Sequence, residues 1–325
     1  MYETYYGFRE RPFDLAPDPR FLVLTESHDE ALSTLKYGVS SRKSVTLLIG
    51  EAGVGKTTLI RAALADQPER VRCIHLQNPV LSRAEFVEML ARRFGLSAQA
   101  AQSKTALLCE LEDLLQQARQ HQETTLLVID EAQSLPNELL EEIRLLANIE
   151  VNSERLLSVI LAGQPELADR LNDVSLRQLK QRIALRCELR PLTGQETARY
   201  IAGRIKAAGG LGADIFTREA VTEIHQRSGG IPRTVSVIAD NALLGGFGAG
   251  VRPVPVSIVR EVCADLHLDG LSPSRNGHSA PEKSPEDSRR LIPGHGKPAA
   301  AKAAGPARTL FDGFMKRRRF TMFGG

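Results

Sequence analysis

Apolar positions along the chain change period, and each change predicts an element. Val45 to Ile49 is a short unbroken run of apolar and β-branched residues, and Thr124 to Ile129 and Leu156 to Gly163 are similar. Runs of this length without alternation predict buried strands of an α/β sheet. Val71 to Gln77 alternates and predicts a further strand. Between the strands the period lengthens to that of helices, at about 83 to 94 and 104 to 120, where Leu107, Leu108, Leu111, Leu114 and Leu115 form a core-facing stripe. Ser27 to Gly38 predicts an earlier helix with an N-cap serine and an acidic first turn, and Leu176 to Arg190 also reads as helical. From Thr193 onward the pattern is wholly helical, at about 194 to 208, 217 to 228, 232 to 247 and 256 to 267. The expectation is a five-strand α/β domain followed by a small α-helical one.

The first 39 residues carry Pro12, Pro17 and Pro19, which prevent a long helix there, with Tyr5, Tyr6, Phe8, Phe13 and Phe21 as apolar anchors. This arm should lie extended against the body, either as a cover over a bound base or as simple packing. Beyond about Gly270 periodicity is lost and Pro, Gly, Ser and Ala dominate, which predicts disorder.

Composition adjusts this picture in three ways. Cys73, Cys109, Cys187 and Cys263 are widely spaced without a C-x-x-C pair, so they read as core residues of a reducing cytosol rather than a zinc or disulfide framework. No signal peptide and no uncharged apolar stretch of about 18 residues is present. The net charge of +3 divides unevenly: residues 270 to 325 hold eleven Lys/Arg against four Asp/Glu, which leaves residues 1 to 269 at −4. A mildly acidic body disfavours duplex DNA as a partner, because duplex binding leans on clustered cations. The tail, where Leu310, Phe311, Phe314, Met315, Phe320, Met322 and Phe323 mix with Lys316 to Arg319, reads either as an anchor for an anionic membrane or partner or as a basic end without one.

Two stretches carry chemistry. After the strand at Val45, Gly50-Glu51-Ala52-Gly53-Val54-Gly55 turns into a helix beginning at Lys56-Thr57-Thr58, the G-x-x-x-x-G-K-[ST] pattern of a P-loop. Its glycines let backbone N–H groups converge on a polyphosphate at the helix N-terminus, Lys56 is placed for the β- and γ-phosphates, and Thr57 for Mg²⁺. Asp130 and Glu131 end the Thr124 strand, at the sheet edge where ligands bind. Asp130 can hold Mg²⁺ through water, and Glu131 can orient and polarise an attacking water. Gln164, ending the Leu156 strand, can contact the γ-phosphate or that water. Arg233, after Pro232 at a helix start, can reach back to the phosphates, and Arg177, Arg182 and Arg186 are available to a neighbour's nucleotide. His75 and His121 receive no chemistry.

In order along the chain, MYETYYGFRERPFDLAPDPRFL, GEAGVGKTT, LLVIDEAQSL, ILAGQPEL, LRQLKQRI and SGGIPR resemble the AAA+ ATPases of the ExeA/GspA secretion type, with most similarity to the subgroup from PEP-CTERM/exosortase exopolysaccharide loci. The resemblance covers about residues 1 to 268. It implies Walker A at Gly50 to Thr58, Walker B at Asp130 and Glu131, sensor 1 at Gln164, sensor 2 at Arg233, and Arg182 as a trans-acting finger with Arg177 as second candidate. A trans finger implies a homo-oligomer. The domains expected are an arm at 1–40, the P-loop ATPase domain at 41–192, a helical lid at 193–268, a linker at 269–306 and a basic, aromatic end at 307–325.

Secretion-type relatives continue through a transmembrane helix into a periplasmic peptidoglycan-binding domain, and this sequence instead has the linker and the basic end. The expectation is therefore a cytoplasmic Mg²⁺-dependent ATPase serving envelope secretion or exopolysaccharide machinery, with peripheral contact at the inner membrane through the tail. A DNA-stimulated ATPase of the MuB/TniB transposition-helper kind and a nucleotide-gated scaffold with little turnover are its alternatives.

Overall fold

A computed structural model describes residues 1–16, 19–21, 23–65, 70–77, 81–152, 154–210 and 215–268. The expectations for Pro17, the linker and the basic end lie outside these residues. The described residues fall in one compact unit, Met1–Arg275.

The chain opens with α1 (Tyr2–Tyr6) and α2 (Glu26–Ser40), enters β1 (Val45–Gly50), and continues through α3 (Lys56–Ala65), β2 (Val71–Leu76), α4 (Arg83–Phe94), α5 (Ala98–Gln102), α6 (Lys104–Gln120) and β3 (Thr124–Ile129). There follow α7 (Asn137–Leu146), a small hairpin of β4 (Glu150–Val151) and β5 (Glu154–Arg155), then β6 (Leu157–Gly163), α8 (Pro165–Arg170), α9 (Arg177–Arg182) and β7 (Ile183–Leu189). Four helices close the described chain: α10 (Gly194–Ala207), α11 (Arg218–Ser228), α12 (Pro232–Ala249) and α13 (Val256–Asp265).

The main sheet has the order β2-β3-β6-β1-β7, and every pair in it is parallel. The inner strands β1, β3 and β6 are apolar on both faces because both faces are covered. One cluster joins Leu47, Leu127 and Leu161 to α4, α6 and α7, and the other joins Leu48, Val128 and Ile160 to α2 and α3. The chain runs from β1 out to β2, returns through β3 and β6, and passes β1 again to reach β7. That reversal places the carboxyl end of β1 at a topological switch point, where open α/β sheets bind ligands.

Three expectations need correction. Residues 183–189 are a strand and not the continuation of a helix. β7 pairs only with β1, so it is an edge strand whose Cys187 and Leu189 pack under α2 while Arg186 and Glu188 face out. Its apolar residues therefore alternate, and Leu176, Leu179 and Ile183 upstream lend them a false helical spacing. Secondly, α2 starts two residues early, with Thr25 as N-cap accepting from the His28 N–H. Thirdly, Cys109 is exposed on α6.

The aromatic anchors of the arm join the helical end of the chain. Tyr2, Tyr6, Phe8, Phe13 and Phe21 share one apolar cluster with Tyr200, Ile205, Ile224, Ile238 and Val259 from α10 to α13. Tyr5 is the exception, 37% exposed, with its ring edge-on to Phe247 at 5.4 Å between centroids. The Thr193-Gly-Gln-Glu sequence folds as a capping box at the start of α10, which fixes where the sheet gives way to helices.

Candidate active site

The turn between β1 and α3 needs its glycines. Gly53 and Gly55 have φ of +81° and +105°, a region that side chains oppose. A Cβ on Gly53 would stand 2.8 Å from the Cβ of Arg233. The approach is close because the Arg233 N–H donates to the Gly53 carbonyl at 3.1 Å. The P-loop and the first turn of α12 are thus hydrogen-bonded to each other.

Lys56 is buried (4% exposed), and its Nζ donates to the carbonyls of Gly50 at 2.8 Å and Glu51 at 3.1 Å. Burial pulls its pKa down, against the carboxylates of Glu131, Asp130, Glu51 and Glu166, which favour the cation. Thr57 Oγ1 donates to Asp130 Oδ2 at 2.5 Å. A hydroxyl and a carboxylate this close supply the hard oxygen donors that Mg²⁺ prefers, and the pair fits that ion.

Glu131 follows in a left-handed conformation, φ +55°, unusual for a side-chain-bearing residue. Its Oε2 accepts from Gln133 Nε2 at 2.6 Å and from Gln164 Nε2 at 3.3 Å.

One cavity gathers most of these groups. Gly53, Val54, Gly55, Lys56, Thr57, Thr58 and Glu131 form one wall, with Arg233 entering from α12. Gly50, Glu51 and Ala52 are not in this wall; Gly50 and Glu51 act from behind as carbonyl acceptors for Lys56. Asp130 and Gln164 reach the cavity only through Thr57 and Glu131. Arg177, Arg182 and Arg186 do not line it; Arg177 is exposed, and the Arg182 carbonyl accepts from Ser44 Oγ at 2.7 Å.

The opposite wall was largely invisible to sequence reasoning. It is made by Asp14, Leu15, Ala16 and Phe21 of the arm and Tyr200, Arg204 and Ser236 of the helical end; His28 of α2 also lines the cavity, with Nε2 3.4 Å from the Val54 carbonyl oxygen of the P-loop. Arg204, only 7% exposed, holds this wall together. Its guanidinium donates to the carbonyls of Pro12 at 2.7 Å and Asp14 at 2.8 Å and to the Tyr200 hydroxyl at 2.6 Å, and it lies 5.0 Å from the Phe21 ring centroid. His28 Nδ1 lies 2.7 Å from Thr25 Oγ1, and burial pulls its pKa down. His75 sits on β2 with Nε2 3.9 Å from Asp130 Oδ2, and that nitrogen has no hydrogen-bond partner among the described residues. A lone arginine on an amphipathic helix and a histidine in a strand carry no sequence signal for such placements.

The fold has relatives among known proteins. Residues 39–171 match the family described as AAA domain. The chain is 37% identical over 254 residues to the General secretion pathway protein A of Aeromonas hydrophila, an alignment that covers 78% of this chain and 46% of that protein. This chain therefore spans less than half of that relative's length. Among solved structures, the ORC2 protein of Aeropyrum pernix superposes with a TM-score of 0.61 at 17% identity, covering 81% of this chain and 72% of that one. The Cdc6p protein of Pyrobaculum aerophilum gives 0.60 at 15% identity, covering 78% and 70%. The fold is that of an AAA+ P-loop NTPase.

Proposed function

We propose that this chain binds ATP between the P-loop and the wall formed by the arm and α10–α12, hydrolyses it in a Mg²⁺-dependent reaction, and serves an envelope secretion or exopolysaccharide system. The observation that carries the reading is the meeting of Lys56, Thr57, Asp130, Glu131 and Gln164 at the carboxyl ends of β1, β3 and β6. The AAA domain match and the identity to a secretion-pathway protein support it.

The triphosphate would lie over the Gly53–Thr58 backbone, whose N–H groups and helix N-terminus favour negative charge. Lys56 exchanges its two carbonyl acceptors for β- and γ-phosphate oxygens. When bound, Mg²⁺ supplies charge neutralisation at the β- and γ-phosphates, with Thr57 and Asp130 as its protein holders. Glu131 orients the attacking water and accepts its proton at a carboxylate oxygen, while Gln164 contacts the γ-phosphate or that water. Arg233 reaches the phosphates from the α12 side. Arg182, with Arg177 as second candidate, would serve a neighbouring subunit's nucleotide, as the resemblance to AAA+ ATPases implies, and the working form would then be a homo-oligomer. The body would work in the cytoplasm, with peripheral contact at the inner membrane.

Glu131→Gln tests this directly. It should retain ATP binding while phosphate release falls by about 10² or more, the scale of general-base loss. Equal turnover in the variant and the parent would remove Glu131 from the chemistry.

A further inference from the structure

Gln133 is prominent in the geometry around Glu131. It belongs to the single 3₁₀ turn Ala132–Ser134 that follows the left-handed Glu131, and this turn folds its side chain back over the end of β3. There its amide bridges two neighbours. Nε2 donates to Glu131 Oε2 at 2.6 Å, and Oε1 accepts from the backbone N–H of Gln164 at 3.1 Å. Gln164 closes a triangle with its own Nε2 on the same Glu131 oxygen at 3.3 Å.

The chemistry of the triangle selects an amide. One neighbour is a carboxylate and requires a donor; the other is a backbone N–H and requires an acceptor. A side-chain amide offers both at once from two separate atoms, and the same demands fix which atom is oxygen. Glutamate would set a second carboxylate against Glu131. An apolar isostere would leave a part-buried N–H without its partner. Room for the amide also depends on Gly163, where a Cβ would lie 3.1 Å from Gln133 Oε1.

Gln133 is itself braced from behind. Arg170 Nη1 donates to the Gln133 carbonyl at 2.6 Å and Arg170 Nη2 to Asn137 Oδ1 at 2.6 Å. Asn137 Nδ2 in turn donates to Ser175 Oγ at 3.2 Å, in the turn that leads into α9. Among the described residues, every hydrogen bond to the Glu131 carboxylate falls on Oε2. One oxygen is pinned and Oε1 is left for other work.

We propose that Gln133 is a positioning residue for hydrolysis: its amide locks the Glu131 carboxylate and the Gln164 backbone into one arrangement, so that Oε1 of Glu131 and the side chain of Gln164 meet the attacking water as a preset pair. The inference rests on the hydrolytic reading above. Orientation of this kind acts on turnover and not on nucleotide affinity, because misplacing a reacting group by about 1 Å can cost about 10² in rate.

The test uses the full chain in four forms: parent, Glu131→Gln, Gln133→Met and Gln133→Glu. For each, kcat and KM for ATP are measured from pH 5 to 9, with the dissociation constant of a fluorescent ATP analogue and the thermal midpoint of the same sample. Gln133→Met is expected to lower kcat about 10- to 100-fold, with KM and the dissociation constant within about twofold of the parent. Gln133→Glu removes the donor to Glu131 Oε2 and is expected to lower kcat at least as far as Gln133→Met, with the dissociation constant again within about twofold of the parent. A merely structural role would lower the thermal midpoint and move KM and the dissociation constant along with kcat. Parent-level kcat in Gln133→Met, with Glu131→Gln inactive, would overturn the role of Gln133 alone. Turnover in Glu131→Gln equal to the parent would overturn the hydrolytic reading, and the inference with it.

Discussion

Replacing Arg204 with methionine tests whether the arm is held in place by one buried cation. The side chain donates to two arm carbonyls, Pro12 and Asp14, and to two groups of the helical end, the Tyr200 hydroxyl and Ser236 Oγ. A hydrogen bond to a charged group is worth about 1.5–3 kcal/mol, so the two arm contacts set an upper range of about 3–6 kcal/mol. Released carbonyls regain water, and methionine keeps much of the packing against Phe13 and Phe21, so about 2–3 kcal/mol of arm docking should be lost. At 1.4 kcal/mol per tenfold, the arm then opens about 30 to 150 times more often. Amide hydrogen exchange by mass spectrometry reads this out. Peptides within residues 2–16 should lose protection by that factor while β1 and β3 keep theirs, and ATP affinity should fall with it, since Asp14, Leu15 and Ala16 line the cavity. Unchanged exchange in the arm, or an equal loss of protection everywhere, would refute the argument. Arg204→Lys should behave more like methionine than like the parent, because an ammonium cannot reproduce the guanidinium fork.

Three further outcomes are expected. Gly230→Ala should destabilise by about 2–5 kcal/mol, since the residue has φ +75° and an added Cβ would stand 2.1 Å from the Leu192 carbonyl, combining left-handed strain with a clash against backbone; a thermal midpoint within 2 °C of the parent, to about the sensitivity of that measure, would contradict it. Burial holds the His28 pKa below its ordinary 6.5, so between the folded and unfolded values the unfolded chain binds the extra proton. Stability is therefore full above about pH 6.5 and falls as the pH drops, by at most about 1.4 kcal/mol per pH unit for each such histidine. His75 acts in the same direction. His28→Gln should make urea-derived stability fall less steeply between pH 6.5 and 5, and an unchanged slope would count against it. Thr57→Val should abolish the tightening of ATP binding on Mg²⁺ addition while leaving metal-free binding within about threefold, checked by titration with and without EDTA, because the Thr57 hydroxyl beside Asp130 is the group removed.

The sequence made some layers of this molecule readable and hid others for physical reasons. β1, β3 and β6 are buried on both faces, so their apolar runs stand out, and the glycine turn and the Asp130-Glu131 pair mark where the phosphates would lie. β7 was misread because it has one covered face and one neighbour. Half-burial leaves Ala184, Arg186 and Glu188 exposed at every second position, next to leucines at helical spacing. α7 was not expected, although its Leu139, Leu140, Ile143 and Leu146 are buried together. The arm lies against the body as its aromatic anchors predict, but it opens with the helix Tyr2–Tyr6 and is not wholly extended; that its rings join the core of α10–α13 is a choice made by shape and packing that no local pattern encodes. Gln133, Arg204, His28 and His75 act through partners distant in sequence or through a turn's backbone twist, and residue type alone does not signal either.

The central claim, ATP hydrolysis completed between subunits, is tested most directly by steady-state phosphate release over a protein concentration series, for the parent and Arg182→Ala, alone and with duplex DNA or anionic liposomes. Specific activity that rises with protein concentration, is lost in Arg182→Ala and ignores DNA is the expected result. Activity that stays flat with concentration until DNA is added would contradict it and point to a DNA-dependent ATPase.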